Sequence, residues 1–263
     1  MNAFKLITID IKDHIACLTM NRPPVNALSN ELAMELVSAF LNLKNDPDVR
    51  VVVITSSQKV FVAGADIAMM KGITETKDLG RMLDYDRRLQ FANSILQDMP
   101  KPTIAAINGH SMGGGTELAL FCDFRFIAET ATMGLPEINL GLLPGAGGIQ
   151  QIVQLIGRTK ALRLMLQGKA LSAQEALGLG LVEKVCTAET LVETAMELAR
   201  DLAEKAPIAV AEIKKCVNAA MEMTRDSSLM YDVRGLGNLF VTHDAEEGLK
   251  AFLEKRTAVF KGI

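Results

Sequence analysis

Cysteine is scarce in this chain of 263 residues, which contains four thiols. Cys17, Cys122, Cys186 and Cys216 lie 30 or more positions apart, so no pair has the short spacing of a zinc or redox motif. We therefore expect no metal site and predict that all four are reduced thiols in the core.

An excess of charge of either sign is also missing. The 28 lysines and arginines nearly balance the 31 aspartates and glutamates, which leaves a formal net charge of -3. Such a chain has no overall attraction for nucleic acid or for an anionic membrane surface. An anionic ligand would have to be bound by local groups.

Long apolar runs of the targeting or membrane-spanning kind are missing too. Residues 1–10 mix Lys5 and Asp10 with apolar residues, unlike a secretory signal, and this favours a cytoplasmic location. Residues 138–157 carry no charge, but Pro144, five glycines and three glutamines interrupt them. A membrane span is therefore not expected.

What the sequence does contain is an alternation of short strands and helices. Alternating residues predict a hairpin at 5–10 and 14–20, whereas the run at 50–56 is apolar on both faces, as in a parallel strand covered by helices. Ser29 is a suitable N-cap for the first helix. The pattern recurs and indicates a layered α/β core. Further strands are predicted at 103–107, 124–128 and 181–185, and helices at 29–44, 80–97 and 114–121.

Beyond residue 185 the predicted elements are all helices. Their amphipathic patterns cover residues 191–205, 208–223, 229–240 and 245–260. We therefore predict an α/β core with the active site at residues 1–195 and a helical C-terminal region at 196–263. The apolar faces of these helices could pack on a core of their own or form contacts between subunits of a homo-oligomer.

Two segments with small residues follow predicted strands. Residues 61–66 could expose backbone amides, although a tight turn would have the same pattern. Residues 108–117 include three consecutive glycines, which are costly to order and suggest a close approach of main chain to a ligand. Amides at a helix start favour a developing negative charge. Glu117, one turn beyond Gly114, can reach the same space, unless it only complements the helix dipole.

The same segment also matches a nucleophile motif. Residues 109–113 read G-x-S-x-G, with Ser111 between a predicted strand and a predicted helix. His243 and one of three aspartates (Asp201, Asp226 or Asp232) could complete a serine triad. However, Glu117 and the extra glycines have no role in such a triad, and no HGGG-type oxyanion loop precedes Ser111. A serine hydrolase is therefore a second, less favoured hypothesis.

Glu137 is an isolated charge within an apolar segment, residues 133–148. Apolar surroundings raise the pKa of a carboxyl group toward the range useful for acid-base chemistry. The glycines at 145–148 could suggest a dinucleotide loop, but Gln150 stands where the third glycine is needed. A nicotinamide cofactor is not expected.

Together these segments resemble the crotonase, or enoyl-CoA hydratase/isomerase, family over essentially the whole chain. The matching segments occur in the family's order: PVNAL at 24–28, AGADI at 63–67, GGGTEL at 113–118, PE at 136–137, PG at 144–145, EG at 247–248 and FLEKR at 252–256. The resemblance implies an α/β fold made of a spiral of β-β-α units with a helical C-terminal region, assembled as a homo-oligomer built from trimers.

The resemblance also implies roles for individual residues. The amides of Ala65 and Gly114 would form an oxyanion hole for a thioester carbonyl. Members similar to hydratases carry both glutamates, here Glu117 and Glu137, which implies hydration of 2-enoyl-CoA in fatty-acid or related acyl-CoA metabolism; an isomerase needs a single base. No cofactor is implied, because coenzyme A belongs to the substrate. Implied substrate contacts are Val25, Ala63, Asp66, Ile67, Gly145, Phe252 and Lys255.

Some positions depart from the family pattern or are hard to interpret. Ala68 and Gln151 stand where hydratases commonly have lysine and arginine, which puts one CoA contact in doubt, and Lys71 could substitute one turn later. Residues 71–80 are interpreted as a loop, and they show no clear pattern. The residues expected to set the depth of the acyl pocket are Met69, Met70, Leu83, Leu135 and Leu143.

Overall fold

Two β-sheets form the centre of the protein in the computed structural model, which describes residues 4–263. The strands are β1 (Ile7–Lys12), β2 (Ile15–Met20), β3 (Val51–Ser56), β4 (Thr103–Ile107), β5 (Ser111–Met112), β6 (Phe124–Ala128), β7 (Thr132–Gly134), β8 (Leu171–Ser172) and β9 (Lys184–Cys186).

The larger sheet has the order β1-β2-β3-β4-β6-β9. β1 and β2 are antiparallel, and each following neighbour pairs in parallel. Every residue of β3 and β4 is buried, as their apolar runs predicted. The hairpin lies later than predicted because Asp13 and His14 both adopt positive φ and form its two-residue turn.

The smaller sheet has the order β5-β7-β8, and it was not predicted. An isolated bridge between Val62 and Ser111 continues it toward the segment that follows β3. A long strand, a short extended segment and a helix thus follow one another repeatedly. This arrangement agrees with the expected spiral of β-β-α units.

Helices cover the sheets and form the C-terminal part of the chain. They are α1 (Asn30–Asn45), α2 (Ile67–Thr76), α3 (Leu79–Gln97), α4 (Gly114–Leu120), α5 (Gly148–Ile156), α6 (Arg158–Gln167), α7 (Ala173–Leu179), α8 (Leu191–Ala203), α9 (Pro207–Glu222), α10 (Arg225–Phe240) and α11 (His243–Glu254), with a 3₁₀ turn at Glu137–Leu140.

Side-chain caps explain several helix boundaries. Ser29 accepts a hydrogen bond from the Leu32 amide and begins α1, as predicted. Asp66 and Asp78 likewise accept hydrogen bonds from backbone amides and begin α2 and α3. Residues 71–80 are therefore mostly helical and do not form an open loop. α11 ends before its predicted limit of residue 260 because Lys255 adopts positive φ.

The predicted division at residues 195 and 196 falls inside α8. This helix packs on β3, β4 and β6, so it belongs to the core, and the change in packing comes between Ala203 and Pro207. α9 and α10 pack chiefly against each other.

Two further sequence expectations can be compared with the structure. Cys122 and Cys186 are buried free thiols, but Cys17 and Cys216 are only half-buried and so lie outside the core. Among residues 4–263, no helix combines the length and apolar character needed to cross a bilayer.

Candidate active site

A cavity of about 230 Å³ lies between α3, α4 and the segment containing Glu137. Most of its wall is apolar, and the carboxylates of Asp86, Glu117 and Glu137 are its acidic groups. The apolar side chains are Leu28, Ile67, Met70, Met82, Leu89, Met112, Leu140, Leu142 and Leu143.

Glu117 reaches the cavity from the first turn of α4, and only 3% of the residue is exposed. Its Oε1 accepts hydrogen bonds from the amides of Ala146 (2.9 Å) and Gly148 (2.8 Å). Burial raises the pKa of Glu117 to about 7, and the charges of Glu137 and Asp86 act in the same direction against the two amides. Oε2 lies on the Gly114 side and remains available for chemistry.

The glycines at 145–148 allow a loop to approach Glu117 closely. Gly147 has φ of 99°, which favours glycine, and a Cβ built on Gly148 would lie 2.6 Å from Cγ of Glu117. This glycine cluster therefore supports a catalytic carboxylate. This role was not predicted from the sequence, where the cluster suggested only a dinucleotide loop.

Glu137 enters the cavity from another element, as the first residue of the 3₁₀ turn. Its Oε1 lies against Gly113, where a Cβ would be 2.9 Å away. Its Oε2 is buried and has no hydrogen-bond partner among the described residues. Burial raises the pKa of this carboxyl group too.

Ala65 and Gly114 also line the cavity. The main chain of Leu28 bonds to the neighbours of Ala65, accepting from the Asp66 amide (3.1 Å) and donating to the Gly64 carbonyl (2.8 Å), which leaves the amide of Ala65 on the other side. Gly114 is the first residue of α4, where an amide has no acceptor within the helix. Within residues 4–263, neither amide donates to a protein group.

The other predicted contact residues divide into two groups. Ala63, Ile67 and Gly145 line the cavity. The remaining four do not line it, because each has a structural partner or lies away from the cavity: Val25, Asp66, Phe252 and Lys255.

Val25 and Asp66 have structural partners. The Val25 carbonyl accepts from the Ala63 amide at 3.1 Å, and Asp66 caps α2 and forms a 2.6 Å ion pair with Arg22. Phe252 lies near the end of α11 and is 82% exposed. Lys255, the first residue after α11, is also exposed. Neither C-terminal residue reaches the cavity of its own chain.

Of the residues expected to set pocket depth, Met70 and Leu143 line the cavity. Leu135 is buried in the core, Met69 packs against the core, and Leu83 lies on a different side of α3 from Met82. The expectation was therefore wrong for these three residues. Ala68 is exposed, and Lys71 is exposed and forms a 3.7 Å pair with Glu75.

Ser111 does not have the geometry of a nucleophile. It lies in β5, it is completely buried, and its hydroxyl has no hydrogen-bond partner among the described residues. A nucleophile elbow instead exposes the hydroxyl at a sharp turn. The serine hydrolase hypothesis is therefore wrong.

Two polar residues of the cavity wall, Tyr85 and Asp86 on α3, were not predicted from the sequence. The hydroxyl of Tyr85 donates to the Leu28 carbonyl at 2.7 Å, which holds α3 against Leu28, the residue that pairs with the segment carrying Ala65. The sequence has polar residues at positions 86, 90 and 93, and this spacing places their side chains on one face of a helix. This pattern could have indicated that a polar face of α3 contacts the site.

Comparisons with known proteins agree with this geometry. The family model described as enoyl-CoA hydratase/isomerase matches residues 10–263. A probable mitochondrial enoyl-CoA hydratase of Dictyostelium discoideum is 41% identical over 95% of this chain and 88% of its own length. The 2,3-dehydroadipyl-CoA hydratase of Escherichia coli is 38% identical, covering 97% and 98%. An enoyl-CoA hydratase structure from Bacillus anthracis superposes with a TM-score of 0.94 at 36% identity, covering 98% of this chain and 100% of that one.

Proposed function

The chain belongs to the enoyl-CoA hydratase/isomerase family, and on this premise we propose that it is an enoyl-CoA hydratase. It reversibly adds water across the 2,3 double bond of 2-enoyl-CoA thioesters and forms 3-hydroxyacyl-CoA. The observation that carries the proposal is the pair of carboxylates, the buried Glu117 and the half-buried Glu137, at one cavity that also has two residues with free amides in its wall.

Hydration requires two proton movements, and two carboxyl groups can perform them. One accepts a proton from water as its oxygen bonds to C3, and the other delivers a proton to C2. Burial raises the pKa of Glu117 to about 7, so this group can exchange a proton near neutral pH, and burial shifts the pKa of Glu137 in the same direction. An isomerase moves one proton and needs a single base, so the presence of a second glutamate in the cavity favours the hydratase.

The amides of Ala65 and Gly114 would bind the thioester oxygen. Negative charge moves onto this oxygen when water attacks C3, and fixed donors in a dry site stabilise such a charge by about 3 kcal/mol each. The substrate is its own source of coenzyme A, so the proposal includes no separate cofactor. The reaction would serve fatty-acid or related acyl-CoA metabolism.

Assembly into a homo-oligomer built from trimers is part of the proposal. α9 and α10 expose many large apolar side chains, which a monomer would leave in water. These include Ile213, Val217, Leu229, Met230, Val233, Leu236 and Phe240.

Replacing each glutamate separately tests the function. Glu117→Gln and Glu137→Gln should each lower hydration of 2-enoyl-CoA about 10²- to 10⁴-fold, because each removes a proton-transfer group. The double variant should lose much less than the product of the single losses, since both groups act on one water. The loss of enoyl thioester absorbance measures the rate.

Glu197→Gln is a matched control, since Glu197 is an exposed residue of α8. It should hydrate at the wild-type rate. If Glu117→Gln hydrated normally while Glu137→Gln abolished migration of the double bond, the protein would be a single-base isomerase.

A further inference from the structure

Three polar residues follow one face of α3 toward the loop at residues 145–148. Asp86, Gln90 and Asn93 are separated by four and three positions, which places them in one row along the helix. Gln90 donates to the Gly145 carbonyl at 2.7 Å, and Asn93 donates to the Ala146 carbonyl at 2.9 Å. Two of the three side chains therefore hold the loop.

Asp86 has no such bond. Its carboxylate lies against the same loop, since a Cβ built on Gly145 would be 2.7 Å from Oδ2. An ionised carboxylate can only accept hydrogen bonds, and the loop amides of Ala146 and Gly148 already donate to Glu117. Among the described residues, no group donates to Asp86. The half-buried side chain lines the cavity, so solvent or a ligand there can supply a donor.

The position of Asp86 places it beside the acyl chain if the proposed function is correct. The amides of Ala65 and Gly114 would hold the thioester oxygen, and the two glutamates would face C2 and C3. The part of the acyl chain beyond C3 would then contact the wall formed by α3. Next to Asp86, this wall consists of Met82 and Leu89.

The cavity offers nothing to balance another negative charge. No lysine, arginine or histidine of the described part of the chain lines it, whereas three carboxylates do. An acyl chain that ended in a carboxylate would bring a like charge to Asp86 in a partly buried site, where such charges repel strongly.

We propose, on the basis of the hydratase function above, that Asp86 is a specificity-determining residue that selects neutral acyl chains and rejects chains ending in a carboxylate. It acts by repulsion and by retaining the water that its unpaired oxygens bind. The apolar remainder of the α3 wall favours the same neutral substrates.

Two substrates of equal length test the proposal. 2-Hexenoyl-CoA has a neutral six-carbon chain, and 2,3-dehydroadipyl-CoA has a six-carbon chain that ends in a carboxylate. In the wild type, kcat/KM should be at least about tenfold higher for 2-hexenoyl-CoA than for 2,3-dehydroadipyl-CoA. Asp86→Asn should reduce the ratio of these two kcat/KM values about tenfold, because the amide is uncharged and can donate a hydrogen bond. Taking the ratio cancels any effect of Asp86 on the chemistry of Glu117.

Asp84→Asn is the matched control, because Asp84 is an exposed carboxylate of the same helix that does not line the cavity. It should leave the ratio unchanged. Equal hydration of both substrates by the wild type would overturn the proposal. It would also be overturned if Asp86→Asn lowered both rates equally and kept the ratio.

Binding of the saturated analogues hexanoyl-CoA and adipyl-CoA, measured by calorimetry, separates this proposal from the hydratase function. If the wild type bound hexanoyl-CoA more tightly than adipyl-CoA, and Asp86→Asn removed this preference, the role of Asp86 would be supported even if no thioester were hydrated. Equal binding of both analogues by an active wild type would overturn the role of Asp86 and leave the hydratase function intact.

Discussion

Replacing Gly148 by alanine should move a catalytic carboxylate without changing its chemistry. Gly148 begins α5, and a Cβ built on it would lie 2.6 Å from Cγ and 2.9 Å from Oε1 of Glu117. Carbon atoms in contact stay about 3.5–4.0 Å apart, so Glu117 or the start of α5 must shift by about 1 Å.

The expected effect is larger on the rate than on stability. A misplacement of about 1 Å at a reacting group lowers a rate about 10²-fold, and we expect kcat for hydration to fall by this amount. The 2.8 Å hydrogen bond from the Gly148 amide would lengthen as well. Crowding in a packed site costs about 1–3 kcal/mol, but alanine is about 0.5–1 kcal/mol more favourable than glycine within a helix and offsets part of that cost.

The measurement combines hydration kinetics with thermal unfolding. Gly178→Ala in α7 is the control, because nothing lies within 4 Å of a Cβ built there, and it should keep the wild-type rate. A folded Gly148→Ala variant that hydrated within about twofold of the wild type would refute the role of the loop in positioning Glu117.

Two other predictions concern stability and assembly. Burial raises the pKa of Glu117 from 4.5 to about 7, so the folded state binds its proton more tightly and the wild type should lose up to about 3 kcal/mol of stability as pH rises between these values. Glu117→Gln cannot ionise, so its urea-unfolding free energy should fall less over that interval, and an equal fall would contradict the assignment. The exposed apolar faces of α9 and α10 predict a mass in light scattering that is a multiple of three chains, whereas 28.5 kDa at all micromolar concentrations would exclude assembly.

Local patterns predicted the parts of the fold and site that depend on neighbours in sequence. The apolar runs of β3 and β4 and the cap at Ser29 need no distant partner, and neither does the placement of Glu117 one turn beyond Gly114. The short strands β5, β7 and β8 have two or three residues each, which is too few for an alternating pattern to show.

Contacts between distant segments account for what the sequence did not reveal. Asp86 takes its importance from the loop at Gly145, and the glycines of that loop take theirs from Glu117. Neither pairing leaves a local spacing that could be read in advance. The packing of α8 on β3, which ties this helix to the core, is not a local property either.

The row of residues on α3 has a consequence for how related enzymes could diverge. Met82, Asp86 and Leu89 face the cavity, while Gln90 and Asn93 fasten the loop that holds Glu117. Single codon changes at the first three positions would therefore alter the cavity wall and leave the loop contacts of Gln90 and Asn93 in place. An insertion or deletion within α3 would rotate the helix and displace both the cavity residues and the loop contacts. We therefore expect descendants of this gene to vary in the side chains at positions 82, 86 and 89 and to keep the length of the helix.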